Sequence, residues 1–524
     1  MRNNSGDAGA AGERVCEVCN KAFTRGSWLM EITERSRSAL IRQRLNHPII
    51  DSDGHTAEFE PVLFDYLRDV GGSRAVDRLL ALPDTPFAFR WYRLTPEERR
   101  DQRQIRPHFW VHPAANTLDR ATSSLPKLLY QRLDEMGLDF TIIYPSLGLF
   151  LAHLGDDELR GVACRAINKL HADSFREYAD RMTPVAVVPM HSPAEAIAEL
   201  EYAVGTLGLK AALMPGYVRR PVAAAARKSA EAARYAFWLD LIGLDSEYDY
   251  DPLWAKCLEL KIAPTFHSSS AGLFTRSSIS NFTFNHIGHF AAAGEAICKA
   301  LFFGGVTRRF PGLTFSFLEG GAAWGCTLLA DLVGHWEKHN AEAAQLYNPA
   351  RLDQALIERL FREYSPPAYR GRMPSPAEFR SNLLWGREEQ PEDIDEWARC
   401  GVKRKEDIKE LFVPNFFFGC EGDDSMTALA FDTRKNAFGA RLNVLYSSDL
   451  GHYDLPDMRD AAGEAWELVE HGLISEQDFC DFVFTNPVLA KGRVNPDFFA
   501  GTVVDKAAAS LLTARRVQVP AAAT

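Results

Sequence analysis

Short apolar runs alternate with longer amphipathic stretches along most of this chain. Eight of the runs read as strands: His47–Ser52, Asp139–Ser146, Thr183–Met190, Leu209–Pro215, Ile262–Ser268, Leu313–Glu319, Asn415–Cys420 and Leu442–Asp449. Each is closed by Gly, Pro, Ser or Asp, and each is apolar enough to be buried on both faces of a parallel sheet. Helical spacing occupies much of the intervening sequence. Asp156–Arg181 opens on acidic residues, Ser192–Gly208 opens on a Ser-Pro cap, and Phe290–Phe303 and Ala322–Asn340 are further helices. Eight strand–helix units predict an α/β fold, a (β/α)8 TIM barrel. An open doubly wound sheet is the alternative, but no GxGxxG follows the first strand.

Length sharpens this picture. A minimal barrel takes about 250 residues, and the chain has 524. The surplus falls into two insertions, at about 64–135 and about 341–412. The first carries Trp91, Tyr92, His108, Phe109, Trp110 and His112. Loops after barrel strands lie on the active face, so these insertions read as a mixture of packing helices, lid and oligomer contact. The expected organisation is a polar tail over 1–25, one barrel domain over 26–505 and a second tail over 506–524.

Composition removes several classes of function. Lys+Arg 59 against Asp+Glu 70 gives a net charge of −11, which argues against a protein that tracks nucleic-acid phosphates. No apolar run reaches the ~18–20 residues that span a bilayer. The N-terminus has no apolar signal core, and the nine cysteines are too few for a disulfide framework, so a cytoplasmic protein is expected.

The strongest chemical signal is Asp51-Ser52-Asp53-Gly54-His55, directly after the first apolar run. Residues two apart on a strand share a face, so Asp53 and His55 can reach one divalent metal. Other strand ends add His267, Glu319 and Asp449. The C-terminal strand ends of a barrel form one ring, and unpaired acids buried there are costly unless a metal compensates them. His286-Ile-Gly-His289 follows the fifth strand, and its i, i+3 spacing places both imidazoles on one helix face. Mixed nitrogen and oxygen donors of this kind suit iron, zinc or manganese. His452, three residues past Asp449, reads as a partner of that aspartate or a substrate contact. His289 and Trp110 are further candidates for substrate binding.

Three local patterns carry less weight. His335-Trp-Glu-Lys-His339 lacks the Glu that follows the first His of a zinc-protease helix. Cys16-Glu-Val-Cys19 has no second ligand pair at finger spacing. Arg219-Arg220 and Arg308-Arg309 could meet an anionic substrate, but solvated loops explain them as well.

The sequence DSDGH, then PTFH, then the closing SSD resembles the amidohydrolase-related family of metal-dependent barrel enzymes, over about residues 47–500. That resemblance implies metal binding by Asp53, His55, His267 and Asp449, with Asp449 also moving protons. Members include hydrolases, nonoxidative decarboxylases and hydratases. The chain departs from the common pattern in presenting Glu319 where many members have a His, and in lacking a bridging lysine on the fourth strand. The stretch FFGGVTRRFPGLTFSFLEGGAAWGC resembles a branch of the family that includes a barrel-type nonheme diiron monooxygenase of antibiotic biosynthesis, acting on a CoA-linked diterpenoid. That branch implies two iron ions held by Asp53, His55, His267, His286, Glu319 and Asp449, with Asp449, His267 and Glu319 catalytic. It also implies an electron donor and a bulky apolar, acyl-CoA-like substrate. The expected function is therefore a diiron monooxygenase. The alternatives are a mononuclear zinc or manganese hydrolase or decarboxylase, and a binding protein that kept the barrel without turnover.

Overall fold

The computed structural model describes residues 35–82, 90–108, 114–268, 274–369, 371–372, 375 and 393–518. The 1–25 tail, Cys16, Cys19, Phe109, Trp110 and His112 lie outside these residues. Eight parallel strands form one sheet in sequence order: β1 (Ile50–Thr56), β2 (Phe140–Pro145), β3 (Met182–Val187), β4 (Ala211–Met214), β5 (Pro264–Phe266), β6 (Phe315–Phe317), β7 (Phe416–Cys420) and β8 (Asn443–Tyr446). The ends meet through the backbone. Asp449 N–H donates to Asp53 O at 3.0 Å and His55 N–H donates to Leu450 O at 2.7 Å, which brings the last strand against the first. The fold is the expected TIM barrel.

Side-chain alternation explains why the strands read as continuously apolar. Phe266, Phe315, Phe317 and Phe416 pack ring on ring at 5.6–6.3 Å beneath the helices, where Trp254 and Trp324 meet them. On the other face, Phe417 and Leu445 form a small interior core with Ala490. Ala490 belongs to the helix Asn486–Gly492, which closes the barrel away from its mouth. Thr314 Oγ1 donates to Ala490 O at 2.6 Å, Asn486 Nδ2 donates to Val444 O at 2.9 Å, and Lys491 Nζ donates to Thr265 Oγ1 at 2.7 Å.

Several expectations change. The DSDGH motif lies inside β1 and not after it, with a register irregularity between Asp51 and Gly54. A two-stranded antiparallel hairpin, Val218–Pro221 with Phe237–Asp240, stands between β4 and β5 and was not expected. Residues 506–518 do not begin a tail: the helix Asp505–Gln518 buries Ala508 and Leu512 against the closing helix. The first insertion folds into short helices, and Trp91 Nε1 donates to Ile279 O at 2.8 Å, tying it to the segment after β5. Arg99 lies over Trp91 at 3.6 Å, so Trp91 serves packing. Among the described residues no helix is long and apolar enough to cross a membrane.

Candidate metal centre

Asp53 and His55 alternate with Gly54 on β1, and His267 directly follows β5. Asp449 follows β8 by three residues. The barrel brings all four side chains together at its mouth. His55 Nε2 is 3.3 Å from both Asp53 Oδ1 and Asp449 Oδ1, and His267 Nε2 is 4.0 Å from Asp53 Oδ2. Ligand-type atoms of Asp53, His55 and His267 lie within 4.8 Å of one another. Glu319 Oε2 comes within 2.9 Å of His267 Nε2.

Two backbone features make the cluster possible. Glu319 and Asp449 both take left-handed backbone, at φ 58° and 50°, a conformation that costs energy and collects at functional sites. Asp51, the third acid of the motif, serves structure. Its Oδ1 accepts from the N–H groups of Asp53 (3.2 Å) and Ser448 (2.9 Å), and its Oδ2 accepts from the hydroxyls of Thr141 (2.7 Å) and Ser448 (2.9 Å). It therefore clamps β1 to β2 and to the segment after β8.

The four residues fit a divalent metal. Both oxygens of Asp53, both ring nitrogens of His55 and Asp449 Oδ2 are buried and make no hydrogen bond, and His267 Nε2 has the Glu319 carboxylate beside it. Groups of this kind need a partner in the folded state. His267 Nδ1 lies 2.9 Å from Ser268 O and donates to it, which turns Nε2 into the cluster as the nitrogen a metal would take in exchange for its proton. Burial raises the carboxyls of Asp53 and Asp449 well above the usual range, with nearby acids adding to it. Burial, then the neighbouring His452 and His267, push His55 well down. Burial also pulls on His267, but the charges of Glu319 and Asp53 prevail and lift it to about 9.

A second cluster adjoins the first. His286, Glu319 and Asp454 also bring ligand-type atoms within 4.8 Å of one another, with His286 Nε2 3.8 Å from Asp454 Oδ1. Glu319 is common to both groups through its contact with His267. The cleft beside it, about 250 Å³, is lined by His286, Glu319, Glu421, Asp424 and Asp454, with no lysine or arginine. Burial, then the charges of Glu319 and Asp454, raise the Glu421 carboxyl well above its usual range.

His286 and His289 do not share a helix face. Gly288, at φ 69°, separates the helix Phe282–His286 from the helix His289–Phe303. His289 is consequently fully buried beside Phe290 and does not line the cleft, contrary to the expected substrate contact. His452 does join the ring: its Nδ1 lies 2.9 Å from Asp449 Oδ1 and its Nε2 2.9 Å from Ser146 Oγ. Burial holds this imidazole down at about 4. One arginine of each pair is otherwise engaged. Arg220 is buried against Asp240 and Tyr250, and Arg309 pairs with Asp251. His335 and His339 stack on each other at a helix end, outside the ring. Asp454 and Glu421 are missing from the sequence-based set. Glu421 directly follows β7, so the strand-end rule that found Glu319 reaches it too, whereas Asp454 lies in an irregular loop with no pattern to mark it.

A family model described as amidohydrolase matches residues 108–366. The match takes in His267, His286 and Glu319 and leaves Asp53, His55 and Asp449 outside. No curated protein matches the chain. A dihydroxybenzoic acid decarboxylase from Polaromonas sp. JS666, solved with manganese and 2-nitroresorcinol, is 17% identical over 85% of this chain and 97% of its own, with a TM-score of 0.45. An amidohydrolase from Mycobacterium avium subsp. paratuberculosis K-10 is 16% identical over 85% of this chain and 100% of its own, with a TM-score of 0.47. A 2,6-dihydroxybenzoate decarboxylase from Rhizobium is 15% identical over 86% and 99%, with a TM-score of 0.42.

Proposed function

We propose that this chain is a metal-dependent enzyme of the amidohydrolase type, a hydrolase or nonoxidative decarboxylase. One observation carries the reading: buried carboxylates and imidazoles of Asp53, His55, His267 and Asp449 converge at the barrel mouth, with both oxygens of Asp53 and both nitrogens of His55 lacking hydrogen-bond partners. The amidohydrolase match over 108–366 supports it. Those four residues would hold a divalent ion such as zinc or manganese, which when bound supplies a Lewis acid for water or a substrate carboxylate. Asp449 is the group that moves the proton, because burial, with the nearby acids, raises its carboxyl above the usual carboxylate range. His452 and Ser146 steady it. Phe290, within 5.4 Å of the His267 and His286 rings, keeps one side of the site apolar.

The test is metal analysis of the purified protein together with a dioxygen-uptake assay. The reading expects one ion per chain, no uptake, and loss of the ion in Asp53→Asn. Two irons per chain with reductant-dependent uptake overturn it.

A second reading is a dinuclear iron monooxygenase that hydroxylates a bulky apolar substrate with help from an electron donor. The cluster of His286, Glu319 and Asp454 favours it, because Glu319 connects that cluster to His267. A CoA-linked substrate fits the cleft less well: its charged lining is acidic and offers no cation for a phosphate. In this reading Glu319→Gln or His286→Ala removes one of two ions, whereas in the first reading neither substitution alters a count of one.

A further inference from the structure

The segment Asp449-Leu450-Gly451-His452 is pressed onto β1. Leu450 O accepts from His55 N–H at 2.7 Å, and a Cβ on Gly451 would sit 2.4 Å from His55 O. The turn lays the His452 ring flat on the His55 ring, centroids 4.0 Å apart and planes within 25°. Ser146 stands behind it, at the end of β2, with its own N–H donated to Thr56 O at 3.0 Å.

The hydrogen-bond directions follow from the groups themselves. With a metal bound Asp449 would be ionised, and an ionised carboxylate only accepts, so His452 Nδ1 then carries the hydrogen and donates it to Asp449 Oδ1. A neutral imidazole then offers Nε2 as an acceptor, and the Ser146 hydroxyl donates to it. Asp449 Oδ2 is left buried with no hydrogen bond.

We propose that His452, oriented by Ser146, is a positioning residue that engages the Asp449 carboxylate and holds its Oδ1 beside His55 Nε2 at the metal site. This rests on the metal centre proposed above and adds to it the residues that fix the orientation of its last-strand aspartate. His55, Asp449 and His452 also group as possible ligands. His452 has no nitrogen to spare for a metal, however, because Nδ1 is committed to Asp449 and Nε2 to Ser146. The order Ser146–His452–Asp449 also matches that of a nucleophilic triad. That alternative makes a distinct prediction, covalent labelling of Ser146.

The experiment uses the full chain, stripped of metal with chelator and titrated with MnCl2 while the six-line EPR signal of free Mn2+ is followed. His452→Phe keeps a ring on His55 but removes the donor, and should weaken Mn2+ binding by about 10- to 100-fold, the usual effect of losing such a partner. His452→Gln can still donate an N–H to Asp449 and should recover most of the affinity. Ser146→Ala should fall between wild type and His452→Phe. Circular dichroism on each variant confirms folding. Wild-type affinity in His452→Phe overturns the proposal. Equal losses in the Phe and Gln variants also overturn it, since packing and not hydrogen bonding would then be at work. Labelling of Ser146 by a fluorophosphonate overturns it in favour of a serine nucleophile. Failure of the metal centre itself has a separate signature: Asp53→Asn would then bind Mn2+ as the wild type does.

Discussion

Glu319 Oε2 and His267 Nε2 lie 2.9 Å apart, with side-chain exposures of 4% and 0%. In the metal-free protein, the acid faces the nitrogen that a metal would use. Glu319 and Asp53 hold His267 at about 9, above its ordinary 6.5. A raised histidine stabilises the fold fully below its unfolded value, and this contribution is lost as pH rises through the folded one. The metal-free protein should therefore lose stability between about pH 6.5 and 9, and Glu319→Gln should flatten that slope. Binding a metal requires His267 to give up its proton, so Mn2+ affinity should climb over the same range, by up to about tenfold per pH unit. Thermal melts and Mn2+ titrations across pH measure both effects. An affinity independent of pH would show that the pair is not charged.

Asp51 and Asp53 stand two residues apart in one strand and should behave in opposite ways. Asp51 satisfies two buried backbone N–H groups and two hydroxyls. Asp51→Ala should cost at least about 2 kcal/mol, because those donors are left without an acceptor. Asp53→Asn should leave the metal-free melting temperature unchanged or raise it, since it removes a buried carboxylate with no hydrogen bond, while abolishing metal binding. Chemical denaturation paired with metal analysis separates the two outcomes.

Gly451→Ala should damage the site without touching a ligand. Its φ of +98° excludes side chains, and the carbonyl that a Cβ would strike belongs to His55 and is fixed in the β1 backbone. Strain of this sort costs on the order of 1–3 kcal/mol. The expected result is a lowered melting temperature together with weakened metal binding, both read on the same sample.

Lys491 is buried at 4% exposure inside the closed end of the barrel, with its ammonium on Thr265 Oγ1. Burial, partly offset by Asp53, lowers it from 10.5 to about 8. A depressed lysine penalises the fold fully below its folded value, and the penalty fades toward the unfolded one. Lys491→Met should therefore melt higher than wild type at pH 7, with the gain shrinking from about pH 8 to 10.5. Replacing a buried charge by an apolar side chain of similar volume commonly acts this way. A lower melting temperature at pH 7 would show that the ammonium is paired more strongly than its single hydrogen bond indicates.

The barrel was legible because strands buried on both faces are apolar throughout. Phe266, Phe315, Phe317 and Phe416 pack under the helices while Phe417 and Leu445 fill the interior. Asp53, His55, His267, Glu319 and Asp449 were legible because strand order alone sends strand ends to one rim. The limits of β1 were not, since a polar DSDGH reads as a loop until its side chains are seen to be enclosed. The pairing of His286 with His289 failed for a local reason: Gly288 turns the chain left-handed between them, and helical spacing does not cross such a turn. Asp454 was invisible because an irregular loop carries no period. The structural role of Asp51 was equally hidden, because three of its four donors come from distant strands or the segment after β8.

The bonds that join Asp53 to Asp449 and His55 to Leu450 connect the first strand of the barrel with the segment after its last, about 400 residues on. During synthesis, the first pair of ligands emerges long before the last, and the closing helix Asn486–Gly492 later still. No N-terminal fragment can assemble the centre, however well its own strands pair. Metal acquisition is thus a late event in the life of the molecule, open only to chains in which the eighth strand has emerged and docked on the first, and metal content reports on completed barrel closure as well as on the site.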